Sequence, residues 1–245
     1  VFTYRIMNII KQFYVEGAGI MVKFSYYGHA AFLLDDGTHK VLVDPFLTGN
    51  PTARISADDV DCDFILLTHA HGDHLGDAPH IAARTGAGIV GIPEVIGLCE
   101  TEAGKTLTSY PMNLGGSLEL PFGKVRMTLA QHSCGVPGGI ACGFVIYIGG
   151  KVVYYSGDTA LFSDMQLIGR KDMVDYAILP IGDNYTMGLE DAAQAAQWVN
   201  AGHVIPIHYD TWPVIAQEVN RYKEVTEAMT RAVVCIVAPG DTIEL

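Results

Sequence analysis

The chain has 245 residues, 49% of them apolar and only 17% charged, which is enough for a sizeable core and excludes a disordered chain. Asp and Glu outnumber Lys and Arg by 27 to 15, a net charge of −12, and no dense Lys/Arg run offsets it, which argues against nucleic acid as a partner. No apolar run approaches the ~20 residues of a membrane helix, so no membrane partner is expected.

Residues 1–20 carry Arg5, Lys11 and Glu16 among their apolar residues and lack the compact apolar block and small-residue cleavage site of a signal peptide. They stand outside the strand pattern that begins at Met21. The expectation is that Met21 is the working start and residues 1–20 an upstream extension, the alternative being a genuine docking strand or helix, with 21–245 forming one domain. VKFSYYG (22–28), AAFLLDD (30–36) and KVLVDP (40–45) read as consecutive strands with tight turns. DFILLTH (63–69) is continuously apolar, as in a strand buried on both faces. A helix is predicted over 74–84, ended by Gly86 and Gly88; then comes a strand in GIVGIP and a short helix over 94–102. SLELP, KVRMTLAQH and GFVIYIGGKVVYYSGD predict antiparallel strands, the last a hairpin turning at Gly149-Gly150. Residues 160–170 read as helix, DYAILPIG as strand, 189–200 as helix, HVIPIHYD as strand and 213–230 as helix, and AVVCIVAPGDTIEL closes with two strands. The pattern is α/β: two mixed sheets packed together with helices outside. The five Cys are odd in number and have no CxxC spacing, so they read as buried thiols of a reducing, cytoplasmic compartment.

The nine His are the unusual component. Thr68-His69-Ala70-His71-Gly72-Asp73-His74 follows the apolar strand directly. Alternation of extended backbone puts His69 and His71 on one side, and a turn at Gly72 is expected to bring Asp73 and His74 back toward them. Burying such a cluster without a metal would be expensive. His132, Asp158 and His208 each stand where an apolar strand ends, a common place for active-site residues. Each alone would be weak; together with the cluster they make five His and two Asp, an inventory suited to two divalent metals sharing a bridging carboxylate.

These motifs resemble the metallo-β-lactamase superfamily, whose fold is a four-layer αββα sandwich. GHAAFLL, VLVDPFLTGNP, THAHGDHLGDA, SGDT, PIGDNYTMG and HYDTWP resemble its UPF0173 metal-dependent hydrolase branch, which is similar to the L-ascorbate-6-phosphate lactonases. The resemblance implies that His69, His71 and His132 bind one metal, that Asp73, His74 and His208 bind a second, and that Asp158 bridges. Asp rather than Cys at 158 departs from the zinc β-lactamases. His71 stands where oxygen-reducing diiron members carry an acid, which favours hydrolysis over redox chemistry. The expected cofactors are two divalent ions, zinc first, with manganese, iron or nickel also suited to His/Asp ligation. The expected reaction is attack of a metal-bridging hydroxide on a small ester, lactone or phosphoester, with Asp73 both ligand and catalytic residue.

Further candidates flank this set. Asp44 is expected to support a ligand imidazole or to form an Asx-turn before Pro45. His29 is expected at the site edge, Asp183, Asn184 and Thr186 at its mouth as substrate or supporting contacts, and Asp210 beside His208. His39, His80 and His203 have no supporting context. The partner is a small-molecule substrate, and self-association is compatible with the apolar composition. Two other readings use the same residues. One is an RNA phosphodiesterase of the tRNA-processing type, against which the charge counts. The other is a non-catalytic metal-binding protein, although structural zinc sites usually close with four ligands.

Overall fold

The computed structural model describes residues 21–245; the reading of 1–20 as an extension falls outside the described residues. β1 (Lys23–Gly28), β2 (Ala31–Asp35) and β3 (Lys40–Val43) pair antiparallel, and β4 (Phe64–Leu66), β5 (Gly88–Gly91) and β6 (Ser109–Pro111) extend the sheet in parallel. Parallel neighbours need crossovers. α1 (Gly72–Leu75) and α2 (Ala78–Thr85) connect β4 to β5, and α3 (Pro93–Ala103) connects β5 to β6. The second sheet repeats the plan. β7 (Ser117–Leu120), β8 (Gly123–Leu129), β9 (Cys142–Ile148) and β10 (Lys151–Tyr155) are antiparallel, and β11 (Tyr176–Pro180), β12 (His203–Ile207) and β13 (Val233–Val234) continue in parallel. Its crossovers are α4 (Met165–Asp172), α5 (Leu189–Val199) and α6 (Val219–Met229), and β14 (Thr242–Glu244) returns to pair with β1. Among the described residues each sheet has seven strands.

Side-chain alternation sorts the core into layers. Val153, Tyr155, Tyr176, Ile178, Ile205 and Ile207 join Phe24, Phe32, Leu34 and Ile65 in the larger apolar cluster between the sheets. The intervening Tyr154, Ala177, Leu179 and Val204 face a second cluster with Met165, Ile168, Val199 and Tyr222 from the helices. Strands apolar on both faces are what a sheet covered on both sides requires, and the α/β sandwich expected from the sequence is the observed fold.

Several boundaries differ from the sequence reading. The helix predicted over 74–84 is two helices, α1 and α2, broken at Gly76. There φ is +42°, and a Cβ would lie 2.5 Å from the Pro45 carbonyl oxygen, so the main chain passes too closely for any side chain. Asp77 then accepts from the Leu47 and Thr48 amides, tying the loop after β3 to the break. Gly72 lies inside α1 with open space where a Cβ would stand. The turn after His71 is thus made by helix initiation, not by glycine freedom. The helices predicted over 160–170 and 213–230 become α4 and a short 3-10 turn, Pro213–Ile215, followed by α6. β6 went unpredicted because Ser109–Pro111 is short, polar and at a sheet edge. No helix among the described residues is long and apolar enough to cross a membrane.

Candidate metal centre

Strand register gathers the candidates at one end of the sandwich. Gly28 pairs with Ala31 and Phe32 with Val43, so the β1–β2 turn and the end of β3 share an edge, and β4 runs parallel to β3. In the other sheet Leu129 pairs with Cys142 and Tyr155 with Phe144, placing the ends of β8 and β10 together, beside the end of parallel β12. His69, His132, Asp158 and His208 therefore leave their strands toward the same place, which the sequence anticipated from strand ends alone.

The ligand atoms fall into overlapping groups in which every pair lies within 4.8 Å: His69, His71 and His132; His69, His74 and Asp158; and His29, Asp73, His74 and His208. His71 Nδ1 is 2.9 Å from His69 Nε2 and 3.3 Å from His132 Nε2. Asp158 Oδ2 lies 3.2 Å from His74 Nε2, 3.1 Å from His208 Nε2 and 3.7 Å from His132 Nε2, so it adjoins both halves of the cluster. Yet His74 Nε2, His208 Nε2 and Asp158 Oδ1 are buried without a hydrogen-bond partner among the described residues. Buried polar atoms are normally paired. Atoms that approach this closely without bonding one another converge on a common centre, so the donor set fits divalent cations.

The outward ring nitrogens are held in turn. Asp44 is fully buried at the end of β3. It accepts from the Thr68 amide at 2.9 Å, the Thr68 hydroxyl at 2.6 Å, His74 Nδ1 at 2.8 Å and the Tyr155 hydroxyl at 2.7 Å. Because Thr68 donates to Asp44, its oxygen is left to accept from His69 Nδ1 at 3.0 Å. Ser133 Oγ lies 3.3 Å from His71 Nε2. These contacts turn the other nitrogen of each ring inward. Asp44 thus holds the His74 imidazole by its outward nitrogen.

Charge follows from the same packing. Burial, with neighbouring imidazoles, lowers His69 well below the ordinary histidine value, and burial also lowers His132. Burial takes His29 down to about 4. Burial would lower His74 as well, but the Asp158 and Asp44 carboxylates outweigh it and raise that ring well above its usual value. Burial opposes ionisation of Asp158 and Asp73, but His208 and His74 beside the first, and the His29 hydrogen bond and His74 beside the second, hold both below the carboxylate range. Ionised carboxylates with neutral His69 and His132 are the protonation states that cation ligation needs.

His29 lies deeper than an edge residue. It is 1% exposed and contacts Asp73 Oδ2 at 3.1 Å. Asp183, Asn184, Thr186 and Asp210 make no hydrogen bond to the cluster among the described residues. Asp183 and Thr186 bond within their own loop, and Asp210 Oδ1 accepts from the Gln217 amide at 2.8 Å. His39 and His80 stand apart, near Asp36 and Asp58, and His203 stacks on Tyr176. Thr68, Tyr155, Ser133 and Thr211 were missed. Each is an ordinary strand or loop residue by sequence; Thr68 beside His69, Ser133 beside His132 and Thr211 three residues past His208 were the available signals.

The profile of a beta-lactamase superfamily domain matches residues 39–209. A UPF0173 metal-dependent hydrolase of Natranaerobius thermophilus is 43% identical over 224 residues, covering 91% of this chain and 100% of its own length. Another, from Pelotomaculum thermopropionicum, is 45% identical over 232 residues, with 91% and 100% coverage. Igni18, a metallo hydrolase of the archaeon Ignicoccus hospitalis, superposes with a TM-score of 0.84 at 35% identity, covering 92% of this chain and 98% of that one.

Proposed function

Since the chain belongs to the UPF0173 metal-dependent hydrolases of the beta-lactamase superfamily, we propose that it hydrolyses a small ester, lactone or phosphoester with two divalent cations. His69, His71 and His132 would hold one, Asp73, His74 and His208 the other, and Asp158 would lie between them. The observation that carries this reading is the approach of Asp158 Oδ2 to His74, His132 and His208 without a hydrogen bond to any of them. When bound, such cations make water acidic enough to be a nucleophile near neutral pH and draw charge from the scissile group's oxygen.

The protein's own groups do the rest. Asp73 has a side chain 27% exposed, against 4% for Asp158 and 0% for Asp44. It is the carboxylate of the cluster that substrate and water reach, and it orients the attacking water and takes its proton. Asp44 and Thr68 keep His74 and His69 in the tautomers that leave their Nε2 lone pairs inward. His/Asp ligation suits zinc, manganese, iron or nickel. The test is to reconstitute the purified chain separately with zinc and manganese, count the bound equivalents and assay a panel of esters, lactones and phosphoesters. Two bound equivalents with turnover support the reading. Two equivalents with no turnover on any of them would assign the cluster to metal binding alone.

A further inference from the structure

We propose that His29 is a positioning residue that fixes the carboxylate of Asp73 through a relay beginning at the Thr211 hydroxyl; the proposal rests on the two-cation reading above. His29 sits in the turn between β1 and β2 with φ at +58°, in the sparsely populated left-handed region. Its carbonyl accepts from the Tyr26 hydroxyl at 2.8 Å and the His208 amide at 2.8 Å, which pins the main chain. The ring lies 3.9 Å from the His208 ring, 4.8 Å from Trp212 and 5.8 Å from Phe46, centroid to centroid, so it is walled in on several sides.

Both ring nitrogens are engaged. Nε2 lies 3.1 Å from Asp73 Oδ2 and Nδ1 lies 2.8 Å from Thr211 Oγ1. An ionised carboxylate only accepts, so Nε2 carries the proton. On the neutral ring Nδ1 is then the acceptor, and the Thr211 hydroxyl is the donor. The hydroxyl thus selects the tautomer, and the ring donates to Oδ2, the Asp73 oxygen that also lies 3.9 Å from His208 Nε2. His29 Nε2 is close enough to the ligand atoms to be counted with them, but ligation would require it to give up the proton that Asp73 accepts. Thr211 follows His208 by three residues on one loop, so a ligand and the residue that orients Asp73 arrive together from the second sheet.

The test is a zinc titration of the full chain against a competing chromophoric chelator, with metal content and circular dichroism measured in parallel. The wild type, His29→Ala, His29→Gln and Thr211→Val are compared. His29→Ala is expected to weaken one equivalent about 10–100-fold while leaving the other within about twofold. His29→Gln, which keeps a side-chain N–H, should recover most of that loss, and Thr211→Val should weaken the same equivalent by a smaller factor. Three results overturn the proposal: unchanged affinity in His29→Ala, no recovery in His29→Gln (the behaviour of a ligand), or wild-type affinity in Thr211→Val. If His29→Ala does not fold, the glutamine and valine variants decide. A wild type that takes up fewer than two equivalents defeats the two-cation reading itself, whatever the variants do.

Discussion

At the scale of single residues, three buried or half-buried carboxylates divide the work. Asp73→Asn and Asp158→Ala should each abolish hydrolysis while the circular dichroism spectrum stays that of the wild type; full turnover in either variant removes that residue from the mechanism. Asp44→Asn should instead lower cation affinity about 10–100-fold, because one amide cannot accept from Thr68, Tyr155 and His74 together. Chelator competition would show it, and unchanged affinity would reduce Asp44 to a turn residue. Most of this site was legible in sequence. Strand ends marked His132, Asp158 and His208, and HxHxDH marked the rest. The orientation of the rings was not legible, because it is set by Thr68, Ser133 and Thr211, whose hydroxyls acquire meaning only from the neighbours the fold gives them.

At the scale of elements, the site depends on main chains that pass very close to one another. A Cβ on Gly182, just past β11, would lie 2.2 Å from the His208 carbonyl oxygen. Gly182→Ala must therefore displace the end of β12, and should cost about 1–3 kcal/mol and weaken zinc binding together. Gly97 in α3 has open space around its missing Cβ, so Gly97→Ala should stabilise by about 0.5–1 kcal/mol. Urea denaturation of the two variants checks the pair, and equal midpoints would contradict it. Apolar runs announced the central strands because parallel strands are buried on both faces. The break at Gly76 was invisible because its cause, the Pro45 carbonyl, belongs to another segment.

At the scale of the whole molecule, burying so many imidazoles at one end of the sandwich makes stability depend on pH. With metal removed by chelation, burial holds His29 at about 4 and keeps His69 and His132 below their ordinary value. As pH falls below about 6.5 the unfolded chain takes up protons on these rings that the fold refuses, so stability is lost. His74 works the other way: raised by its two carboxylates, it favours the fold below about 6.5 and loses that effect as pH rises through its higher folded value. Below about 6.5 the His74 contribution is already complete and constant, so the three lowered rings set the slope there. The denaturation midpoint of the chelated protein should therefore fall between about pH 6.5 and 4, and a rise over that window would refute the balance. One arrangement described above also bears on how the chain folds. His69, His71, Asp73 and His74 leave the first sheet, whereas His132, Asp158 and His208 leave the second, and each half of the cluster draws on both. Residues 69 and 208 meet only after β5 to β12 have been laid down and the two sheets have docked. Under the proposed assignment neither sheet alone would hold the ligands for either ion, so tight metal capture would work as a clock for docking. It follows the slow, long-range step of folding and cannot precede it.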